Sequence, residues 1–280
     1  MLLAESHVQL RATYFALLLD LPEEGQRQIY PATLTMKNLL KHARSLQQKK
    51  FRDLHGSFLV QGQKVVKEAL RSDLHVEDVL CTAEAAERMD FKEYTAVPAH
   101  ELERVGTLES GNEVIAIVRK PSATPVLDLG PDELVIALDG IGDPGNLGTV
   151  LRIADWFGIQ RVWCNLGGVD AYNPKCVQAS MGALFRVRVD QLDLPEMLDR
   201  QHMSGAALYF ASMEGTSAFE MRLAKRGVLV LGSESHGLSA EVRRLPGELI
   251  GIPGRGGAES LNVAMAASAL CMEFTRQRSA

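Results

Sequence analysis

Short apolar runs alternate with stretches of helical spacing through the second half of the chain. Six such runs occupy 134–138, 161–164, 185–189, 207–211, 228–231 and 249–252. This alternation predicts an α/β fold with a mostly parallel sheet covered by helices on both faces. Open sheets of this kind bind ligands at the carboxyl ends of their strands, so the residues that follow each run are the first place to look for chemistry.

The pattern before residue 120 predicts a smaller α/β module. Leu39, Leu40, Ala43 and Leu46 recur at helical spacing. A strand is expected at 57–62 and a helix at 64–70, and further short strands are expected at 78–82, 94–97 and 113–118. Residues 120–133 contain three prolines and lack any period, which is typical of a linker. The predicted organisation is an extension of unassigned role at 1–33, a small domain at 34–119, a linker at 120–133 and a second domain at 134–280.

The first predicted helices of the small domain carry a basic stripe. Between Lys37 and Arg52 there are six basic residues and no acid: Lys37, Lys41, Arg44, Lys49, Lys50 and Arg52. Such a face is usually only solvated, but the imbalance is unusual in an acidic protein. We therefore predict that these side chains contact a phosphate backbone, an interaction that is electrostatic and independent of base sequence.

Composition narrows the class of protein. The chain has 280 residues, of which 46% are hydrophobic and 23% charged, with a formal net charge of -5. These values are typical of a globular protein, and they leave room for a local basic patch. The four cysteines and seven histidines show no metal-ligand spacing, so no metal site is predicted. No apolar run is long enough to cross a membrane, and we expect reduced cysteines and a cytoplasmic location.

Three strand ends carry unusual residues, and the first is the stretch from Leu138 to Gly148. Its glycines formally satisfy G-x-G-x-x-G after a strand, which makes a nicotinamide-dependent oxidoreductase one candidate. Asp143 and Pro144 argue against it, because they place a negative charge and a missing N–H where a pyrophosphate needs donors. Farther along the same helix, Arg152 could meet a phosphate or a developing oxyanion beside a glycine opening; the alternative is a surface ion pair with Asp155.

The second strand end is the sequence GSESHG at 232–237. Flanking glycines place Glu234 at the sheet edge, where its carboxylate can accept hydrogen bonds or act as a base. The adjacent Ser235 and His236 do not favour a hydrolase, because neighbouring residues cannot readily form a nucleophile-base pair.

The third strand end lies between Leu249 and Phe274. A glycine-rich loop follows the apolar run, then come Ser260 and Asn262, and then a segment that is apolar on nearly every side. An all-round apolar segment predicts a buried helix, inside the domain or across a dimer. The loop itself is either a small-molecule pocket, since it offers unpaired N–H groups at a helix start, or an ordinary connection.

Taken together, these stretches resemble a known family. The sequences LDGIGDPGNLGTVLRIADWFG, LVLGSESHG and IPGRGGAESLNVAMAASAL are similar to the three ordered motifs of the SpoU-type (TrmH-like) RNA ribose 2′-O-methyltransferases of the SPOUT superfamily. YNPKCVQASMGALFRV also resembles that family, and the segment from Lys37 to Leu70 resembles its N-terminal RNA-binding domain. Gly254-Arg255 departs from the family, which often has Met after the proline, and His236 stands where a small residue is common.

The resemblance implies a homodimer that binds S-adenosylmethionine at a trefoil-knotted carboxyl end and releases S-adenosylhomocysteine. It implies that cofactor contacts come from Gly232, Ile252 and Leu261, and that the polar residues at the methyl-transfer site are Asn146, Arg152, Glu234, Ser260 and Asn262. The implied substrate is a structured RNA, ribosomal rather than transfer RNA. A tRNA substrate, an inactive RNA-binding member and, less favoured, the nicotinamide-dependent enzyme stay as alternatives.

We expect Arg152 to act as a phosphate clamp and a stabiliser of the developing alkoxide, because a guanidinium with a pKa above ~12 is always protonated. Asn146 is expected to fix Arg152. Ser260 and Asn262 are expected to orient nucleotide and cofactor, and Glu234 to hold the arginine or the ribose.

Overall fold

The computed structural model of the protein describes residues 36–122 and 128–278. The predicted extension at 1–33 and residues 123–127 of the predicted linker lie outside the described residues. The chain divides into two compact units between Lys120 and Pro121, and each unit is described by itself.

The first unit is built on a four-stranded sheet of order β1-β4-β2-β3. Strand β4 runs antiparallel to both of its neighbours, whereas β2 and β3 are parallel. Its elements in chain order are α1 (Met36–Ser45), α2 (Lys49–His55), β1 (Ser57–Gln61), α3 (Gln63–Arg71), β2 (Val76–Cys81), α4 (Ala83–Met89), β3 (Thr95–Ala96), α5 (Ala99–Val105) and β4 (Val114–Arg119). Leu39, Ala43 and Leu46 pack with Leu102 and Ile117 in its core, which confirms the apolar face predicted for the first helix.

The basic stripe lies on two helices, and one of its members is not on the surface. Arg52 is only 1% exposed, and its Nη1 donates hydrogen bonds to the carbonyl oxygens of Leu46 and Gln47, both at 2.8 Å. These carbonyls belong to the turn between α1 and α2, where the helical hydrogen bonds stop. The prediction of a solvated, RNA-contacting Arg52 is therefore wrong: the guanidinium closes the turn between the helices.

The second unit contains a six-stranded sheet of order β10-β8-β9-β5-β6-β7, in which every neighbouring pair is parallel. Helices cover both faces, as the alternation of apolar runs predicts. The elements are β5 (Leu134–Asp139), α6 (Pro144–Trp156), β6 (Arg161–Asn165), α7 (Pro174–Ser180), β7 (Arg188–Leu192), α8 (Leu194–Met203), β8 (Ala207–Ser217), β9 (Gly227–Gly232), α9 (Ala240–Arg243), β10 (Glu248–Gly251) and α10 (Val263–Arg278).

One strand is displaced from its predicted position. The apolar run at 185–189 predicts a strand, but β7 begins at Arg188, and Ala183–Phe185 form a 3₁₀ turn. Leu184 in that turn is buried, so the apolar side chains before β7 pack against the unit without adding a strand. A short apolar run does not by itself distinguish a strand from a buried turn.

Close packing of α6 on α7 also changes one sequence expectation. A Cβ added at Gly148 would lie 2.5 Å from the carbonyl oxygen of Cys176 and 2.7 Å from the Cβ of Ala179. The predicted glycine opening beside Arg152 is therefore occupied by the neighbouring helix. Gly148 is needed for the approach of two backbones, and it offers no space to a ligand.

Helix α10 is only partly buried. Val263, Ala267 and Leu270 are covered, but Met265 and Met272 are 63% and 61% exposed. Burial of this helix inside the domain alone is therefore incomplete, and its burial across a dimer stays a prediction. The trefoil knot stays a prediction. In the part of the chain that the structure describes, no helix combines the length and apolar character needed to cross a membrane.

Candidate active site

Three loops at the carboxyl edge of the large sheet meet around the side chain of Glu234. Its Oε1 accepts hydrogen bonds from Asn146 Nδ2 at 3.2 Å, Asn262 Nδ2 at 2.5 Å and the backbone N–H of Val263 at 3.4 Å. Asn262 Nδ2 also donates to Asn146 Oδ1 at 3.1 Å. The structure therefore brings together one residue from each of the three sequence motifs.

Asn262 holds its place because it begins helix α10. Its Oδ1 accepts hydrogen bonds from the backbone N–H groups of Ala264 at 2.9 Å and Met265 at 3.4 Å. A side-chain acceptor at this position satisfies donors that the first helical turn leaves without partners. The capping oxygen fixes the side chain, and its amide nitrogen is left to reach Glu234 and Asn146.

Asn146 is positioned by the start of α6. Asp143 caps this helix by accepting from the N–H groups of Gly145 at 2.6 Å and Asn146 at 3.1 Å, and Pro144 opens the first turn. Lys175 donates to the other carboxylate oxygen of Asp143 at 2.7 Å. That hydrogen bond is the largest cause that lowers the pKa of Asp143, followed by the bond from the Asn146 N–H. Asp143 is thus occupied as a cap, which explains its position within the glycine pattern.

The loop that carries Glu234 is closed on itself. Ser233 and Gly237 exchange both backbone hydrogen bonds, with Ser233 N donating at 2.9 Å and Gly237 N at 2.8 Å. A Cβ at Gly232 would overlap the backbone of Gly237, so only glycine allows this return of the chain. Ser235 Oγ lies 2.7 Å from His236 Nδ1 at the exposed tip of the loop, so the expectation that these two neighbours do not readily pair is wrong.

Arg152 stands apart from this hydrogen-bonded group. It is exposed on α6, and among the described residues its guanidinium makes no ion pair or side-chain hydrogen bond. Asp155, its predicted alternative partner, is instead held by Arg186, whose Nη2 lies 2.8 Å from Asp155 Oδ2. Asn146 is occupied by Glu234 and Asn262, so the structure does not support the expectation that Asn146 fixes Arg152.

A cleft of about 270 Å³ opens next to the third motif. The glycine-rich loop forms one wall and the end of β8 forms the other; the lining residues are Met213, Gly215, Ser217, Ile252, Pro253, Gly254, Gly256 and Ala258. Of the predicted cofactor residues, Ile252 lines this cleft. Gly232 lies at the end of β9, and Leu261 is 47% exposed just before α10.

Ser260 is, after Arg152, the second predicted polar residue that the structure leaves outside the cluster. It is exposed, and its hydroxyl makes no hydrogen bond with any residue in the described part of the chain. Its role stays a prediction, as do the individual roles of the other predicted site residues.

Two residues that the sequence reasoning did not select complete the edge. Asp139 ends β5 and is only 2% exposed; its Oδ1 accepts from Asn165 Nδ2 at 3.1 Å and its Oδ2 from the Ser239 N–H at 2.6 Å. Asn165 Oδ1 in turn accepts from the Gly140 N–H at 2.7 Å. The sequence does contain a signal for these two residues. Asp139 and Asn165 directly follow two apolar runs that are predicted to be parallel strands, and the carboxyl ends of parallel strands meet at one edge of a sheet.

Comparison with protein families identifies what this edge belongs to. The sequence profile of the SpoU rRNA Methylase family matches residues 133–272, which span the whole of the six-stranded sheet and all three loops. The chain belongs to the SpoU rRNA methylase family. A second profile, the MRM3-like substrate binding domain, matches residues 37–118 in the first unit.

Individual family members resemble the chain over most of its length. The 23S rRNA (guanosine(2553)-2′-O)-methyltransferase RlmP of Bacillus subtilis is 29% identical over 82% of this chain and 93% of its own. The structure of a TrmH-family protein from Porphyromonas gingivalis is 35% identical, with a TM-score of 0.77 over 88% of this chain and all of that one (100%). The SpoU methyltransferase AviRb from Streptomyces viridochromogenes, solved with AdoMet, is 27% identical with a TM-score of 0.76, covering 88% and 99%.

In the first unit of this SpoU family member, most of the basic stripe is solvent-exposed. Lys37, Lys41, Lys49 and Lys50 are exposed. Arg44 is partly engaged, because its Nε donates to the carbonyl oxygen of Arg104 at 3.1 Å. Lys50 Nζ lies 4.7 Å from the ring centroid of Phe51, which in turn stacks on His55. Four lysines therefore remain available to a polyanion.

The cysteine thiols and the potential metal ligands can be described for residues 36–122 and 128–278. All four cysteines are free and buried, as predicted for reduced core residues. Burial raises the pKa of Cys81, Cys164 and Cys271 to about 12, so these thiols stay protonated near neutral pH. Among the described residues, no group of three His, Cys, Asp or Glu side chains is arranged to hold a metal ion.

Proposed function

We propose that this protein transfers a methyl group from S-adenosylmethionine to a ribose 2′-hydroxyl of ribosomal RNA. The observation that carries the proposal is the hydrogen-bonded group formed by Asn146, Glu234 and Asn262, which joins all three motif loops. Arg152, on the same helix as Asn146, makes no ion pair with the described residues. Relatives named as rRNA 2′-O-methyltransferases support the reaction and favour ribosomal over transfer RNA.

The residues around the cleft fit the proposed cofactor. Ile252, Pro253 and Ala258 supply apolar surface for an adenine ring, and Gly254 and Gly256 have no side chain that would keep a ligand from their backbone groups. Ligand sites commonly combine such apolar walls with a few backbone donors and acceptors. Gly232 ends β9, and Leu261 lies in the glycine-rich loop just before α10; we assign both of them contacts with the cofactor. S-adenosylmethionine bound here supplies an electrophilic methyl group, and AdoMet is present in the solved relatives AviRb and the Sinorhizobium meliloti rRNA methyltransferase.

The chain's own residues then have to orient the RNA and stabilise charge. Arg152 is exposed and unpaired among the described residues, so its guanidinium is available to a phosphate and to the alkoxide that develops as the 2′-hydroxyl attacks. The new oxygen–carbon bond replaces the carbon–sulfur bond, S-adenosylhomocysteine leaves, and the hydroxyl proton passes to solvent. Glu234, Asn146 and Asn262 hold the three loops in one arrangement, which fixes the path of the nucleotide. Ser260 lies two residues before Asn262, and its hydroxyl makes no hydrogen bond with the described residues. We assign it a contact with the nucleotide.

We assign RNA binding to residues 34–119 and methyl transfer to residues 134–280, joined by the linker at 120–133. The division between the two compact units and the two family profiles support this organisation. The exposed residues Lys37, Lys41, Lys49 and Lys50 would contact the RNA backbone, with Arg44 contributing through the part of its guanidinium that Glu101 and Arg104 leave exposed.

We further propose a cytoplasmic homodimer with a trefoil-knotted carboxyl end. Met265 and Met272 on α10 are exposed, and Trp156, on the helix α6 that packs against α10, is 84% exposed. Large apolar side chains exposed on these two packed helices support a protein interface. Sedimentation of the wild type and of the variant Met265→Glu/Met272→Glu tests this: the wild type should sediment as a dimer and the variant as a monomer. The free cysteines support a reducing compartment.

The decisive experiment measures methyl transfer from labelled S-adenosylmethionine to purified ribosomal subunits, 23S and 16S rRNA and tRNA, followed by mapping of 2′-O-methylated nucleotides. We expect one rRNA position to be modified. Methylation of tRNA alone would replace ribosomal with transfer RNA as the substrate class.

Two further alternatives are separated by calorimetry. Titration with S-adenosylmethionine should give saturable binding, whereas an inactive RNA-binding member need not bind it. The nicotinamide-dependent enzyme would be supported only by binding of NAD(P) in the absence of S-adenosylmethionine binding.

A further inference from the structure

Asp139 is a buried carboxylate at the carboxyl end of the central strand β5. Both of its oxygens are used, one by the Asn165 side chain from β6 and the other by the Ser239 backbone N–H, which follows the Glu234 loop. It makes no hydrogen bond with Asn146, Glu234 or Asn262. Its hydrogen bonds nevertheless lead to the loops that carry them.

The first connection runs through Asn165. The amide of Asn165 donates to Asp139 and its oxygen accepts from Gly140 N–H, so the first residue after β5 is held to the end of β6. Gly140 has φ +74°, in the region that favours glycine, and from there the chain turns towards α6. Asp143 and Asn146 follow within six residues. The direction of this turn therefore determines where the helix that carries Asn146 begins.

The second connection runs through Ser239. Ser239 N–H donates to Asp139 Oδ2 at 2.6 Å, and Ser239 Oγ caps the short helix α9 by accepting from Val242 N–H. The loop at 233–237 lies between β9 and this anchor. Since β9 pairs directly with β5, Asp139 ties the far end of the Glu234 loop to the same strand from which the Asn146 loop departs.

We propose that Asp139 is a positioning residue for methyl transfer: its carboxylate sets the spacing between the Asn146 loop and the Glu234 loop, and so the contact between those two side chains. The inference rests on the proposed function. The two buried oxygens of Asp139 satisfy two donors that would otherwise be left without partners. In an active site, small displacements of the reacting groups lower the rate.

The variant Asp139→Asn tests the proposal because an amide has only one acceptor oxygen. One of the two donors, Asn165 Nδ2 or Ser239 N–H, would then face an NH₂ group. We expect kcat at saturating RNA and cofactor to fall by about 10²-fold, with S-adenosylhomocysteine affinity by calorimetry unchanged. Asp190→Asn is the matched control, since Asp190 is 6% exposed on β7 of the same sheet and leads to neither loop; kcat should stay at the wild-type value.

A compensating exchange makes the test specific. In Asp139→Asn/Asn165→Asp, the amide at 139 can donate to the carboxylate at 165 and accept from Ser239 N–H, and the new carboxylate can still accept from Gly140 N–H. Each of the three hydrogen bonds that join Asp139, Asn165, Gly140 and Ser239 in the wild type therefore has a counterpart in the double variant. We therefore expect the double variant to recover most of the kcat that Asp139→Asn loses, whereas Asn165→Asp alone, with two carboxylates face to face, should be impaired.

A readout independent of catalysis separates this inference from the proposed function. The side-chain NH₂ resonances of Asn146 and Asn262 report their contacts with Glu234, and they should shift in Asp139→Asn and return in the double variant. Unmoved resonances together with unchanged kcat would overturn the proposal, and so would a folded double variant that recovers neither. If wild-type protein methylates no RNA, the function fails but the resonances still decide the role of Asp139. Should Asp139→Asn not fold, Asn165→Ala removes the hydrogen bonds of Asn165 with Asp139 and Gly140 but keeps that of Ser239 with Asp139, and it must still shift the Asn146 signal.

Discussion

The carboxyl edge of the six-stranded sheet and the basic helices of the first unit hold their polar groups in opposite ways. At the sheet edge, Asn146, Glu234 and Asn262 each make at least two hydrogen bonds to side chains or backbone. On α1 and α2, four lysines extend into solvent, and Arg52 is the stripe residue held in place by buried hydrogen bonds. Methyl transfer needs fixed geometry, whereas contact with a phosphate backbone needs only charge, so each region has the arrangement that its proposed task requires.

The largest effect is expected at Arg152, whose guanidinium makes no ion pair with the residues that the structure describes. Arg152→Ala should lower the single-turnover rate of methyl transfer by about 10³-fold, the magnitude found when a stabiliser of developing charge is removed. Cofactor affinity should not change. Arg152→Lys should recover little, because an ammonium cannot reproduce a two-pronged contact. A wild-type rate in Arg152→Ala at saturating RNA and cofactor would end the assignment.

Substitutions of Glu234 test how much the hydrogen-bonded arrangement of the three loops contributes to kcat. Glu234→Ala leaves the donors of Asn146, Asn262 and Val263 without their shared acceptor, and we expect kcat to fall by about 10²-fold. Glu234→Gln keeps an acceptor oxygen and should lose less. Equal losses in the two variants would instead make the negative charge, not the hydrogen-bonded arrangement, the important property; quench-flow rates distinguish these results.

The stripe should respond to charge and not to geometry. Reversing Lys37, Lys41, Lys49 and Lys50 to Glu should weaken RNA binding by at least about tenfold at low salt, and it should flatten the salt dependence by up to ~0.9 for each phosphate that is no longer neutralised. Lys92→Glu, in the same unit but off the stripe and paired with Asp90, is the control. Binding isotherms at several salt concentrations measure the RNA affinity and its salt dependence. If the affinity did not change, the only role left for the stripe would be solubility.

Arg52 and Lys50 separate the two kinds of basic residue within one helix. Arg52→Ala removes hydrogen bonds to two carbonyl oxygens, which should cost about 1–3 kcal/mol in the free energy of unfolding. Lys50→Ala should change it by less than about 0.5 kcal/mol yet weaken RNA binding. Urea denaturation measures the free energy of unfolding of both variants. Equal stability of Arg52→Ala and Lys50→Ala would contradict the distinction between a structural and a solvent-exposed basic residue.

The smallest effect concerns the helix that carries Asn262 at its start. Hydrogen bonds from Arg276 and Gln277 lower the pKa of Glu273 from 4.5 to about 2. A carboxyl group with a lowered folded-state pKa adds stability above its unfolded pKa and loses it as the pH falls, here between about 4.5 and 2. Glu273→Gln should flatten the acid side of the stability profile in that window, measured by thermal melts; an unchanged profile would show that this carboxylate does not contribute.

The sequence predicted what depends on local pattern. The period of apolar residues predicted the parallel sheet with helices on both faces, and the residues after the second of the three runs pointed to Glu234. The resemblance to the SpoU family supplied Asn146 and Asn262 as site residues. Tertiary packing decided the rest. Arg52 continues a basic stripe in sequence but turns inward to the carbonyl oxygens of the α1–α2 turn, and Gly148 looks like an opening until α7 packs against it. Asp139 was overlooked because its partners lie 26 and 100 residues away.

Those separations bear on how the protein assembles. Asn146 meets Asn262 across 116 residues, and Asp139 meets Ser239 across 100. Contacts this distant in the chain, between strands that are all parallel, form slowly because a long loop must close before any of them gains free energy. The first unit, with its shorter connections, should regain its secondary structure early in refolding. Methyl-transfer competence should return last, so that catalysis reports the moment at which the whole second unit has reached its native topology.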